Sequence, residues 1–231
     1  MTKTKDQDKN QRTILRVLVG SRAHNLHNEN SDYDYRGCFL VPTKELLKLN
    51  APKVTTNWKE GDTKEAEDNT MWELGHFLHL ATHCNPTILE VFKAPVVEST
   101  DIGNSMRGLF PYIWNTNDVC NAFIGYGKNQ QKKFLDGKDK RKDKYAVAYL
   151  RTLIQCSELI QSGTFTIDFS NHSEYRTLMD WKQGNYEIGE VINKCYDYIK
   201  LIDRLRNDVA NKDTDLDAVN EFLLQVRKAN W

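Results

Sequence analysis

Ten residues separate the dipeptide Gly20-Ser21 from the triplet Asp32-Tyr33-Asp34, and these two stretches hold the residue types from which phosphate chemistry is built. A Gly-Ser turn after an apolar strand can set backbone N–H groups against a phosphate. Glycine permits the close approach and serine adds a donor. Aspartates two apart on a strand point to the same face, where their repulsion calls for a cation or a proton. Mg²⁺ suits that position, because it takes a few carboxylates together with phosphate oxygens and keeps some of its water. A third carboxylate completes such a site, holding a second ion about 3.5–4 Å from the first and helping to activate an attacking hydroxyl. Asp68 is chosen for it, read as the end of a strand before the first long helix, with Glu67 and Glu65 as fallbacks. An Asp-x-Asp alone is common on solvated strand edges and turns. The order strand, Gly-Ser, loop, Asp-x-Asp on a second strand is far more specific.

The elements that must carry these residues are legible from their patterning. Residues 13–19 (TILRVLV) are rich in β-branched and aliphatic side chains and stop at Gly20, as a buried strand does. A polar loop follows, with one helical turn expected around residues 23–26. Residues 33–41 read as a second strand ended by Pro42, and Thr43 as the start of a short amphipathic helix. A third strand is expected between residues 54 and 58 or just before Asp68. From residue 69 the period turns helical, with Trp72, Leu74, Phe77, Leu78 and Ala81 on one face as far as His83. Asn85-Pro86 restarts a helix, Asn as N-cap and Pro at the first helical position. Beyond residue 100 the signals are helical over 117–136, 142–162, 187–209 and 215–229, with residues 164–167 a short strand or an extended connector. The fold class expected is α+β. A tail over 1–12 precedes a mixed-sheet core over 13–100 and a helical domain over 101–231.

The run Gly20-Ser21-Arg22-Ala23-His24-Asn25-Leu26, then Asn30-Ser31-Asp32-Tyr33-Asp34-Tyr35-Arg36-Gly37, resembles the signature of the DNA polymerase β-type nucleotidyltransferase superfamily. Within it the chain is most similar to bacterial and phage nucleotidyltransferases associated with RNA repair. The resemblance continues through Asp68 and residues 85–90, and more weakly through 123–134 and 145–163. It implies a mixed-sheet core, with Asp32, Asp34 and an acid at or near Asp68 as metal ligands and catalytic residues. It also implies that Gly20 and Ser21 contact the triphosphate of ATP or another nucleotide, and that Arg22 and Arg36 neutralise phosphate charge. Two departures stand out. Asn25 replaces a common glycine, which is tolerable because Asn accepts a left-handed backbone. The helix over 144–151 lacks a common histidine, leaving Arg151 as its phosphate contact.

The activity expected is transfer of a nucleotide to an acceptor hydroxyl with loss of pyrophosphate, supported by two Mg²⁺ ions, with Mn²⁺ as a substitute. An RNA 3′ end of tRNA type is the favoured acceptor. A protein hydroxyl, a small molecule, or a nucleotide- or RNA-binding module without catalysis remain open, as do the base and the oligomeric state. Residues 128–144 carry eight Lys or Arg against three Asp, and Lys128, Lys132 and Lys133 could follow a nucleic-acid backbone, Lys133 nearest the phosphates. His76, His79 and His83 share a helical stripe but rise over roughly 10 Å, which suits a polar face better than one ion. Glu90 reads as a brace of the core rather than a catalyst.

Composition bounds these readings. The chain has 231 residues, 39% of them hydrophobic, and balances 32 basic against 32 acidic side chains, which excludes a polycation overall. Five cysteines, odd in number and without a Cys-x-x-Cys pair, argue for reduced thiols and a cytoplasmic protein, and against a zinc ribbon. No signal-peptide core occupies the first dozen residues, and no run of about 18 apolar residues predicts a membrane span.

Overall fold

A computed structural model describes residues 11–60, 67–136 and 141–231 of the protein. Strand β1 (Arg12–Val19) runs straight into the single turn α1 (Gly20–Ala23), so the helical turn begins at Gly20 rather than at Ala23. After a loop come β2 (Tyr33–Leu40), α2 (Thr43–Leu46), β3 (Thr55–Glu60) and β4 (Glu67–Glu73). Two short helices follow, α3 (Leu74–Thr82) and α4 (Pro86–Lys93), and then β5 (Val96–Ser99). The sheet order is β3-β4-β2-β1-β5. Only β2 and β4 are parallel, which makes the sheet mixed.

Residues 69–73 depart from expectation. They are the second part of β4, not the first turn of a helix; the strand expected over 54–58 is β3, whereas residues 61–66, just before Asp68, lie outside the described residues. The apolar spacing from Trp72 to Ala81 reads as one helix, but β2 and β3 pair with β4 on its two sides and satisfy its backbone up to residue 73. Tertiary pairing here overrides the local period. Helix α3 starts afresh at Leu74, with the Glu73 carboxylate accepting from Gly75 N at 2.7 Å. Asp68 consequently opens β4 instead of ending a strand. Asn85 caps α4 as expected, its side chain accepting from Thr87 N at 3.0 Å.

The helical part comprises α5 (Asp101–Gly108), α6 (Phe110–Ile113), α7 (Thr116–Leu135), α8 (Lys142–Ser162), α9 (Tyr175–Lys182), α10 (Ile188–Asp208) and α11 (Leu216–Ala229). Four of these match the expected spans; β5, α5, α6 and α9 were not foreseen. Residues 164–167 form an extended connector without a strand. One apolar core runs from β1 to α11. An aromatic series of Phe77, Phe92, Phe110, Phe165 and Phe123 crosses it, with successive ring centroids 5.3–6.1 Å apart. Helix α11 returns to the sheet, where Arg227 pairs with Glu73 at 2.7 Å. Among the described residues no helix is long and apolar enough to cross a membrane.

Candidate active site

Register sets the three aspartates at one end of the sheet. Val19 lies opposite Asp34 across the β1–β2 pair, and Asp34 lies level with Asp68 across the parallel β2–β4 pair. Asp32 immediately precedes β2. Gly20, at φ +70°, turns the chain beside Asp34, and a Cβ built on it would stand 2.4 Å from the Asp34 Oδ2. Glycine is therefore demanded twice, by a left-handed backbone and by the carboxylate occupying the space of a side chain. Burial raises the Asp34 pKa above the ordinary carboxylate range; Arg36 pulls it back, while Asp32 and Asp68 push it further up. The three acids thus feel one another. As placed, Asp32 faces Lys144 at 3.9 Å and Asp68 faces Lys59 at 3.7 Å. Among the described residues no three His, Cys, Asp or Glu side chains close on one point.

The fallback acids separate from this set. Glu67 turns to Arg16 at 2.7 Å, and Glu65 lies outside the described residues. Asn25 adopts φ +53°, the left-handed conformation that asparagine accepts in place of glycine.

The expected phosphate-binding cations are mostly engaged elsewhere. Arg22 donates from Nε and Nη2 to the Ser31 carbonyl at 3.1 and 2.8 Å, and its guanidinium covers the Tyr33 ring at 3.8 Å. It clamps the loop between the phosphate turn and the aspartates. Arg36 donates to Glu90, Arg151 to Gln155 at 3.0 Å, and Lys133 lies 5.6 Å over the Tyr145 ring. Two lysines not singled out from sequence stand at the aspartate loop. Lys144, at the start of α8, faces Asp32, and Lys182, at the end of α9, reaches the Ser31 hydroxyl at 3.5 Å. Burial and then the Lys144 charge lower the Lys182 pKa, so the two ammonium groups sit close together. Residues so far apart in sequence carry no joint signal; only the packing of α8 against α9 brings them to one place.

Behind the sheet end lies a charged group buried in the core. His24 and Glu90 are 2% and 4% exposed, with the His24 Nε2 3.0 Å from one Glu90 oxygen. The other oxygen accepts from Arg36 at 3.0 Å. Burial works against ionisation of Glu90, but His24, Arg36 and Arg151 outweigh it and hold its carboxyl far below the usual range. Burial and Arg151 lower the His24 pKa against the pull of Glu90. With Nδ1 2.8 Å from the Ile167 carbonyl and Nε2 facing a carboxylate, the doubly protonated ring is nonetheless the form that satisfies both contacts.

The remaining sequence signals fall away from the carboxylates. Among the histidines, His79 and His83 touch ring to ring, with His83 Nδ1 2.7 Å from the His79 carbonyl. All five cysteines are free and buried. Lys128 lines shallow depressions between α7 and α10 together with Ile199, and Lys132 is exposed on α7.

Comparison with known proteins assigns the chain. A family model described as the RNA repair pathway DNA polymerase beta family matches residues 2–225. The chain belongs to that family. An uncharacterised 38.9 kDa protein of Enterobacteria phage T4, from the nrdC–mobD intergenic region, is 25% identical over 132 residues. That match covers 53% of this chain and 39% of the phage protein, so the chain spans about two fifths of that relative. The uncharacterised protein YcgL of Bacillus subtilis (strain 168) is 26% identical over 240 residues, covering 94% of this chain and 90% of YcgL. The crystal structure of a nucleotidyltransferase-like protein from Exiguobacterium sibiricum aligns over 96% of this chain and 75% of its own, at 10% identity and a TM-score of 0.31.

Proposed function

We propose that the protein is a Mg²⁺-dependent nucleotidyltransferase that moves a nucleoside monophosphate from its triphosphate to the 3′ hydroxyl of an RNA. The observation that carries this reading is the level pairing of Asp34 with Asp68 beside Gly20, whose absent Cβ leaves the Asp34 oxygen its space. Asp34 and Asp68 stand level across the parallel β2–β4 pair with Asp32 just before β2, and carboxylate oxygens are the donors that Mg²⁺ takes. Asp32, Asp34 and Asp68 would hold the metal, with Mn²⁺ as a substitute. When bound, the metal offsets phosphate charge and lowers the pKa of an attacking hydroxyl.

The protein's own residues do the rest. The backbone of Gly20-Ser21 carries the phosphates, and Asp68 helps to draw the proton from the acceptor hydroxyl. The hydroxyl oxygen bonds to the α-phosphorus as the bond to the β-phosphate oxygen breaks in line. The departing pyrophosphate is met by Lys144 and Lys182, which neutralise charge as it develops. The family's link to RNA repair and the basic run over 128–144 favour RNA as acceptor over a protein or a small molecule.

Pyrophosphate release from a nucleoside triphosphate, followed with a coupled phosphatase, tests the assignment. Asp32→Asn and Asp34→Asn each lower the rate by a factor on the order of 10²–10³ or more with an unchanged circular dichroism spectrum. A near-normal rate in either variant would sink it.

A further inference from the structure

The buried group His24–Glu90–Arg36 has no part in the chemistry described above, and its construction is costly. Taking a carboxylate out of water is unfavourable, and an apolar trio of similar volume would stabilise the core as well or better. Glu90 and His24 are nevertheless engaged with each other and with their neighbours. Both Glu90 oxygens are occupied, one by Arg36 Nη1 and one by His24 Nε2, each at 3.0 Å. Both His24 ring nitrogens face acceptors, and its backbone is held as well. His24 N donates to the Gly20 carbonyl at 3.2 Å, and the His24 carbonyl accepts from Phe169 N at 3.1 Å. His24 therefore ties the phosphate turn to α4 through Glu90 and to the connector after α8 through Ile167 and Phe169. Gln155 of α8 secures the same connector, donating to the Thr166 carbonyl at 2.7 Å.

Arg36 is the member that leaves the core. Its side chain is 28% exposed, whereas that of Glu90 is 6% exposed. On β2 it shares a face with Asp34, two residues away. Among the described residues its only hydrogen bond is the one to Glu90, so donors of a five-donor guanidinium are left over on a side chain that is part-exposed and charge-coupled to Asp34. A guanidinium gripped by one carboxylate with donors left over is set up to take a phosphate oxygen in a fixed direction.

We infer that Glu90 and His24 are positioning residues that hold Arg36 against the phosphates of the nucleotide, and that His24 ties this grip to the Gly20-Ser21 turn. The inference rests on the nucleotidyltransferase reading, since it needs a triphosphate to bind beside Asp34. It assigns Glu90 a role beyond bracing the core, and it accounts for a histidine held at both ring nitrogens within the phosphate turn.

The test is a double-mutant cycle on binding, with the Mg²⁺ complexes of the α,β-methylene analogues of all four nucleoside triphosphates as probes. Calorimetry gives the Kd of the tightest. Arg36→Gln is expected to weaken it about tenfold, and Glu90→Gln, nearly isosteric with glutamate, by a similar factor. The double variant is expected to be no weaker than Arg36→Gln alone, because Glu90 acts through Arg36. His24→Gln, whose amide can still donate to Glu90, is expected to stay within about threefold of wild type, whereas His24→Ala follows Glu90→Gln. A merely structural Glu90 would lower the melting temperature while leaving the Kd of the folded protein unchanged. That result, or additive losses in the double variant, would overturn the inference. Wild-type protein binding none of the four probes would overturn the nucleotidyltransferase reading itself, and the inference with it.

Discussion

Asp34 carries two opposed demands. In the proposed role its carboxylate is ionised to hold a cation, yet burial, with Asp32 and Asp68, favours the neutral form against the pull of Arg36. The folded pKa stands above the unfolded one. Folding therefore opposes ionisation at neutral pH, and that penalty fades as the pH falls through the unfolded value. In chelator, Asp34→Asn is expected to raise the melting temperature at pH 7, because it removes a charge that burial disfavours; with Mg²⁺ present it loses turnover. The gain shrinks towards pH 3.5. Scanning calorimetry at the two pH values checks this, and a lower melting temperature at pH 7 would contradict it. Spacing alone predicts that Asp32 and Asp34 lie at the start of one strand, whereas Asp68 reaches the same sheet end by opening β4 level with Asp34, not by ending a strand. Lys144 and Lys182 were not legible, because neither stands in a motif and 37 residues with two turns of direction lie between them. Arg22 was legible as a cation but not as a clamp, since its partner is a backbone carbonyl that any sequence would offer.

At the scale of elements, the site depends on the junction of β1 with α1. Gly20 is its pivot, and Gly20→Ala should act twice. The left-handed backbone costs about 1–2 kcal/mol with a Cβ present. The methyl group also meets the Asp34 carboxylate at 2.4 Å, so the acid must turn from its position. A fall in melting temperature of roughly 2–8 °C is expected, together with a loss of catalytic rate well beyond what the destabilisation explains. Normal turnover in the folded variant would contradict this. Elements with a strong period of their own were readable in advance: β1, β2 and the long helices α7, α8, α10 and α11. The boundary between β4 and α3 was not, because Trp72 and Leu74 fit a helical face while pairing with β2 and β3 decides where the strand stops. Strand β5 has four residues, three of them exposed, and its partner is the distant β1. So short and polar a segment leaves almost no alternation to read.

The whole molecule joins its two halves more closely than the change from mixed to helical pattern suggests. The phenylalanine series passes from α3 to α7 through Phe165 of the connector, and α11 closes back on Glu73 at the head of α3. Lysines from α8 and α9 reach the aspartate loop, and the connector after α8 holds the histidine of the phosphate turn. The proposed site therefore draws on both halves, with Asp34, Asp68 and Arg36 on the sheet and Lys144 and Lys182 on the helices. The most direct measurement is incubation with each α-phosphate-labelled nucleoside triphosphate and Mg²⁺, with and without a tRNA pool, resolved on a denaturing gel. Label entering RNA with the wild-type protein and absent with Asp32→Asn is the predicted result. RNA left unlabelled by all four triphosphates, or labelled equally by Asp32→Asn, would contradict it.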